Sequence, residues 1–308
     1  MSSHTIWFAT CVSLRGERAG LCRDFFFDIW STYAKGRGHP SNVNLLTRPP
    51  LLRTPELTKP VSIIHKTHFV NLAQARASQL TKASLASGSL ARGFFCNQFE
   101  NPANHMAHFN TTGPELLAQT NGRIDILVLG AGTGGTISGL ATYLKTYLPN
   151  LKIILADPQG SGLANKVKHN ILFSETESEG TRKRHQVDSI VEGIGNNRLT
   201  ANFEMGMSLI DDAISVSDAE ALVMAKQLRD EGVFCGSSTA VNCVAVQKIC
   251  EREGTGKVVV TILCDGGERG LGKFWDVDHE GWIDGDPFES TVDCRLGPRG
   301  RADCNQVE

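Results

Sequence analysis

An α/β fold, with a parallel sheet and helices on both of its faces, is what the sequence predicts, and three observations carry it. Between residues 124 and 264, short aliphatic runs bounded by glycine, proline or acidic residues alternate with longer stretches of helical period. The runs are apolar at successive positions rather than at every second one, as strands covered on both sides are. One of them, "ILVLGAGTGGTISG" from Ile126 to Gly139, climbs from a strand pattern through glycines into a helix pattern, which is the junction a strand–helix–strand unit needs.

The elements follow in chain order. Residues 1–58 are rich in prolines and turn formers without a sustained period, and are expected to be irregular. Residues 59–114 read as the remnant of a smaller α/β domain: "VSII" from Val61 suits a strand and "HFVNLAQARASQL" a helix, with an apolar run "GFFCNQF" and a polar segment Glu100 to Gly113 behind them. Residues 115–276 read as a larger α/β domain. Its strand "DILVLG" leads to a helix carrying Ile137, Leu140, Ala141, Leu144 and Leu148 on one face, stopped by Pro149. A strand "LKIILAD" covers 151–157, and a looser region with the charged surface patch "SETESEGTRKRH" covers 158–214. Ser217 and Glu220 form a capping box ahead of the helix "AEALVMAKQL". A second helix opens in "CGSSTAVNCVAVQKIC", and "KVVVTILCD" is a buried type of strand. Residues 277–308 lose the pattern and are expected to form an irregular tail.

Composition narrows the classes of partner. With 308 residues, 41% hydrophobic, 21% charged and a formal net charge of -2, the chain is ordinary globular protein. It offers no basic surface for nucleic acid or anionic lipid. Nine cysteines without a C-x-x-C pair suggest buried, reduced thiols, hence a cytoplasmic or mitochondrial protein. No run reaches the roughly 18 apolar residues of a transmembrane segment. "IWFATCVSL" is too short for a span and has no basic residue ahead of it as a secretory signal would, while Arg15, Arg18 and Arg23 keep a transit peptide open.

The bend at Ile126–Gly139 holds five glycines and three hydroxyl residues. A strand that turns through glycines into a helix aims several backbone N–H groups at one point, and the helix dipole adds partial positive charge there. That is an anion site, to which the hydroxyls of Thr133 and Thr136 add donors. Gly130-x-Gly132-x-x-Gly135 also matches the dinucleotide fingerprint, with Asp157 at the end of the next strand where a ribose-binding acid belongs. The threonines favour a compact monophosphate instead. From the bend alone, an NAD(P)-dependent or flavin oxidoreductase stays open.

Six stretches occur in one order: "QFENPANH" at 98–105, "TTGPE" at 111–115, "GTGGT" at 132–136, "ADPQGS" at 156–161, "VEGIG" at 191–195 and "EGVFCGSSTAVN" at 231–242. Together they resemble the cysteine synthase and cystathionine β-synthase family, the fold-type II pyridoxal-phosphate enzymes with a tryptophan synthase β-like fold. The likeness runs over about residues 60–276 and is greatest to a fungal cysteine synthase-like branch. It implies pyridoxal 5'-phosphate as cofactor, with Gly132, Thr133, Gly134, Gly135 and Thr136 cradling its phosphate. Ser238 matches the serine that hydrogen-bonds the pyridine nitrogen, Gln98 a residue near the substrate carboxylate, and Gly193 and Gly195 the loop that closes over substrate. The implied reaction is a β-replacement, in which an activated serine loses its β-substituent and sulfide takes its place to give cysteine, a small-molecule chemistry run by a homodimer in the intact family.

The resemblance also implies a Schiff-base lysine in a serine-x-lysine-aspartate-arginine context, and a threonine-serine-glycine-asparagine-threonine-glycine loop for the substrate carboxylate. Neither occurs in this sequence. Lys35, Lys59, Lys66 and Lys82 precede the glycine bend, and none has that context. The catalytic residue is therefore unassigned. The sequence reads as a truncated, inactive version of the enzyme, with a non-catalytic relative in a binding role as the alternative.

Lesser patterns carry less. His65-x-x-His68 and His105-x-x-His108 have helical spacing but no intervening Glu and no third ligand, so zinc is not expected. Cys235 and Cys264 read as small buried residues. Asp276 to Pro287 imitates a calcium loop, yet Pro287 stands where a bidentate Glu is required.

Overall fold

Strands form where the aliphatic runs stand. In chain order they are β1 (Thr5–Thr10), β2 (Ile126–Gly130), β3 (Lys152–Pro158), β4 (Asp212–Val216), β5 (Val258–Leu263), β6 (Val292–Leu296) and β7 (Arg301–Gln306). The helices are α1 (Phe69–Ala86), α2 (Ala103–Asn110), α3 (Thr112–Gln119), α4 (Gly135–Tyr147), α5 (Leu163–His169), α6 (Ala201–Met207), α7 (Asp218–Asp230) and α8 (Ser237–Glu253). The computed structural model describes residues 5–10, 65–88, 90, 92–173, 189–276, 292–296 and 301–306. "VSII" and the calcium-like loop beyond Asp276 lie outside them.

The chain divides into one unit of residues 98–308 with 1–14, and another of residues 15–97. Within the second, described from residue 65, α1 begins at His68, whose ring accepts from the Val70 N–H as an N-cap. The division falls at Gln98. The physical reason is that α2 and α3 pack against α4 in the larger unit.

That unit is built on a sheet in the order β4-β3-β2-β5-β1-β7-β6. The first five strands run parallel, and β6 and β7 add an antiparallel hairpin at one edge. Two expectations are corrected here. The opening segment is not wholly irregular, because "TIWFAT", rich in β-branched and aromatic residues, pairs along the whole of β5. The tail is not wholly irregular either, since β6 and β7 pair with each other. β4 begins inside the region read as loose and ends two residues beyond it; "DAISV" is only five residues long and gives a weak periodic signal.

Strand alternation sends neighbouring side chains to opposite faces, and each face has its own core. Leu127 and Leu129 of β2 meet Ile137, Leu140 and Leu144 of α4. Ile126 and Val128 meet Val241, Val244 and Ala245 of α8. Fully burying such a side chain stabilises by about 2 kcal/mol relative to leaving it in water. The face predicted for α4 is the face that is buried, and the capping box of Ser217 and Glu220 is present at the start of α7.

Candidate functional site

At the carboxyl ends of β2 and β5 the two strands stop pairing. Their ladder ends at Val128 opposite Thr261. Beyond that point Asn242 of α8 takes over: its Oδ1 accepts from the Gly130 N–H at 2.8 Å and its Nδ2 donates to the Ile262 carbonyl at 2.9 Å. One buried side chain thus satisfies two backbone groups that separation would otherwise orphan, groups whose loss costs about 1–3 kcal/mol each. The separation opens a cavity of about 600 Å³.

One wall is the turn from β2 into α4. Gly134, the N-cap of α4, has φ +82°, and a Cβ there would lie 2.4 Å from that of Phe203. Both the left-handed conformation and the close approach require glycine. The N–H groups of Gly132, Thr133, Gly134 and Thr136 donate to no protein group among the described residues, apart from their availability to the cavity. The turn is held from outside. Thr200 donates to the Thr133 carbonyl at 2.7 Å, and the Asn104 side-chain amide donates to Thr133 Oγ1 and to the Gln98 carbonyl, both at 2.9 Å.

Helix α2 reaches this turn because α4 lacks side chains where the two cross. A Cβ on Gly139 would lie 2.5 Å from the His105 carbonyl and 2.9 Å from His108 Cβ. The approach delivers two histidines. His105 Nδ1 lies 2.9 Å from Ser138 Oγ, and His108 Nε2 lies 3.1 Å from Thr136 Oγ1. Burial pushes the His108 imidazole down to about 4, with His105 adding to the effect, so the ring is neutral at physiological pH.

The opposite wall is the start of α8, where three successive hydroxyls do different things. Ser237 Oγ accepts from the Glu192 N–H at 3.0 Å, tying down residues 192–195, and Thr239 Oγ1 accepts from the Cys264 N–H at 2.9 Å. Ser238 between them faces the cavity and lies 3.5 Å from Asp265 Oδ1. It is not the N-cap of α8, a place taken by Gly236. Burial raises the Asp265 pKa, and the Arg269 charge and the Ser238 hydroxyl lower it in part.

The structure therefore brings Gln98, Gly132, Thr133, Gly134, Thr136, Gly193 and Ser238 to one cavity, while Gly135 faces the Asn104 side chain and its N–H donates to Thr133 Oγ1 at 3.4 Å. Gly195 stands behind the cavity, its N–H bonded to the Ala131 carbonyl at 2.8 Å and its α-carbon against Pro158. Cys235 is buried as expected, but Cys264 is exposed on the cavity wall, because β5 has already left the sheet there. Asp157 is turned away from any ribose: it is buried, its Oδ2 accepting the Ala164 N–H at 2.7 Å. That geometry removes the residue on which the dinucleotide alternative depended. Sequence reasoning missed His108, Asn242 and Asp265. Asn242 stood in a quoted motif, whereas His108 was weighed only as a zinc ligand.

A parallel sheet with unpaired amides at a strand–helix turn and hydroxyls across one cleft defines a fold-type II site for a phosphorylated planar ligand. Residues 66–265 match the family described as "Pyridoxal-phosphate dependent enzyme", and the chain belongs to that family. It is 52% identical to cysteine synthase 2 of Emericella nidulans over 223 residues, which is 70% of this chain and 52% of that one. It is 54% identical to cysteine synthase 2 of Neurospora crassa over 225 residues, 72% of this chain and 49% of that one. The chain thus spans about half the length of these curated relatives. Among solved structures, the O-acetylserine dependent cystathionine beta-synthase from Helicobacter pylori superposes with a TM-score of 0.50 at 30% identity, covering 62% of this chain and 56% of that one. The crystal structure of O-ureido-L-serine synthase gives a TM-score of 0.51 at 26% identity, covering 67% of this chain and 58% of that one.

Proposed function

We propose that this chain is a cysteine synthase-like protein that holds pyridoxal 5'-phosphate in the cavity. The phosphate sits on the amides of the Gly132–Thr136 turn and the pyridine nitrogen faces Ser238, with Gln98 and Gly193 toward the amino-acid substrate and Gly195 supporting their loop from behind. The observation that supports this most is the set of unpaired amides at the start of α4, on the same cavity as the Ser238 hydroxyl. The residues present fit the group at both ends: donors for a dianion on one wall, a neutral hydroxyl on the other. When bound, pyridoxal phosphate supplies an electron sink for β-replacement on an activated serine with sulfide. This chain's own residues hold and orient it. Thr136 and the amides fix the phosphate, and Asn242 keeps the cleft open.

The catalytic amine is unassigned. Among the described residues lining the cavity there is no lysine, and Arg269 is the cation nearest in kind. We therefore expect the chain by itself to bind the cofactor without making cysteine. A homodimer and a cytoplasmic or mitochondrial compartment belong to the same proposal. The test is calorimetric titration of the purified chain with pyridoxal phosphate, alongside Thr136→Val, which removes the hydroxyl and keeps the shape. Binding that Thr136→Val weakens about tenfold supports the reading, one charged hydrogen bond being lost. Binding unchanged in that variant removes Thr136 from the phosphate site. An assay with O-acetylserine and sulfide in which cysteine appears, and one Lys→Ala change abolishes it, would identify the missing amine.

A further inference from the structure

His108 stands between two threonine hydroxyls and touches no other polar group in the described hydrogen bonds. Its Nδ1 lies 3.0 Å from Thr112 Oγ1 and its Nε2 lies 3.1 Å from Thr136 Oγ1. A neutral imidazole has one N–H donor and one acceptor nitrogen. The two threonines must therefore play opposite roles: one accepts from the ring and the other donates to it. If the proton is on Nδ1, Thr136 spends its own proton on Nε2 and has none for a ligand. If the proton is on Nε2, Thr136 accepts it, Thr112 donates to Nδ1, and the Thr136 hydroxyl proton is free to point into the cavity.

We propose that His108 is a positioning residue for the phosphate turn, held as the Nε2–H tautomer so that the Thr136 hydroxyl is directed at a bound phosphate oxygen. The inference rests on the cofactor reading above. A phosphate on the turn draws the Thr136 proton, because a hydrogen bond to an anionic oxygen is stronger than one to a neutral nitrogen. The tautomer is therefore selected by the ligand and relayed to Thr112 on α3, at the far side of the ring.

The neighbouring histidine does not compete. Ser138 Oγ donates to the Gly135 carbonyl at 3.3 Å, so it accepts from His105 Nδ1 at 2.9 Å, and His105 is fixed as the Nδ1–H tautomer. Both rings are disfavoured as cations by burial, so neither adds a second donor. The two histidines of one helix face thus present opposite tautomers to the first turns of α4, one supporting its backbone and the other its ligand-facing hydroxyl.

Nitrogen-15 NMR of the histidines in the full chain, with and without pyridoxal phosphate, tests this directly. The expected result is His108 as neutral Nε2–H in the presence of the cofactor. A neutral Nδ1–H ring with cofactor bound overturns the inference while leaving the cofactor site intact, and a chain that binds no pyridoxal phosphate overturns both. As a second measurement, His108→Leu should weaken pyridoxal phosphate about tenfold or more but leave phosphate-free pyridoxal unchanged, since only the phosphate bond is lost. His108→Gln, which keeps an N–H donor on a chain of similar reach, should recover much of the loss. Equal affinity for pyridoxal phosphate in His108→Leu, or equal loss for both ligands, overturns the inference.

Discussion

Asp157 shows how one residue type in one position carries different meanings in sequence and in structure. At the end of β3, about twenty residues past a glycine bend, an acid suggests ribose binding. In the folded chain it is enclosed, with Oδ2 on the Ala164 N–H and Oδ1 without a hydrogen-bond partner. Burial raises its pKa to about 7, against the lowering effects of Ser161 and the Ala164 and Leu163 amides. The sign follows from proton counting. Between an unfolded value near 3.8 and a folded value of about 7, the native state holds a proton that the unfolded state has released. Stability from this group is therefore greatest below about pH 4, falls as pH climbs to about 7, and is level above that. The fall has an upper limit of about 1.4 kcal/mol per pH unit. Urea denaturation at pH 5, 6 and 7 should show the decline in the natural chain and a flatter profile in Asp157→Asn. Parallel profiles would mean that Asp157 is ionised throughout.

Elements were legible wherever apolar runs were long. The strands β2, β3 and β5 and the helices α4, α7 and α8 stand where period and capping residues put them. What was not legible depended on partners distant in sequence. Nothing local in "TIWFAT" says that it will pair with β5, some 250 residues later. Nothing in "NPANHMAHF" says that its helix will lie on Gly139 of α4. Two of the glycines also serve packing: a Cβ on Gly134 would meet Phe203, and one on Gly139 would meet α2. A substitution at Gly134 consequently tests the turn's packing before it tests an anion. Gly139 gives the cleaner experiment on the elements. Its added Cβ would meet the His105 carbonyl at 2.5 Å, a backbone atom that moves only if α2 moves. Gly139→Ala should destabilise by about 1–3 kcal/mol as an overpacked contact. It should also weaken pyridoxal phosphate, because α2 carries both His108 and Asn104 to the turn. A variant as stable as the natural chain, binding equally well, would show that α2 is not held by this crossing.

At the scale of the whole molecule, the parallel sheet delivers loop ends to one edge, and the separation of β2 from β5 turns that edge into a cavity. The two walls carry chemistry of different kinds: amide donors at the start of α4, and hydroxyls backed by Asp265 at the start of α8. Neither wall carries an amine among the described residues, so on the proposed reading the ligand is held by its phosphate and its ring, without a lysine on its aldehyde. That yields a prediction about the chain as a thermodynamic unit. A ligand that binds only the folded state stabilises by about 2.7 kcal/mol at a hundredfold excess over its Kd. Pyridoxal phosphate and pyridoxine 5'-phosphate, which has an alcohol in place of the aldehyde, should therefore raise Tm equally at equal concentration. Pyridoxal without phosphate should raise it far less, because the amides of Gly132–Thr136 then have no anion to bind. Borohydride treatment of the pyridoxal phosphate complex should leave no single lysine stoichiometrically labelled, though exposed lysines will react at a low background. A much larger shift with the aldehyde, accompanied by one lysine labelled to completion, would place an amine in the cavity and overturn the non-covalent reading while preserving the phosphate site.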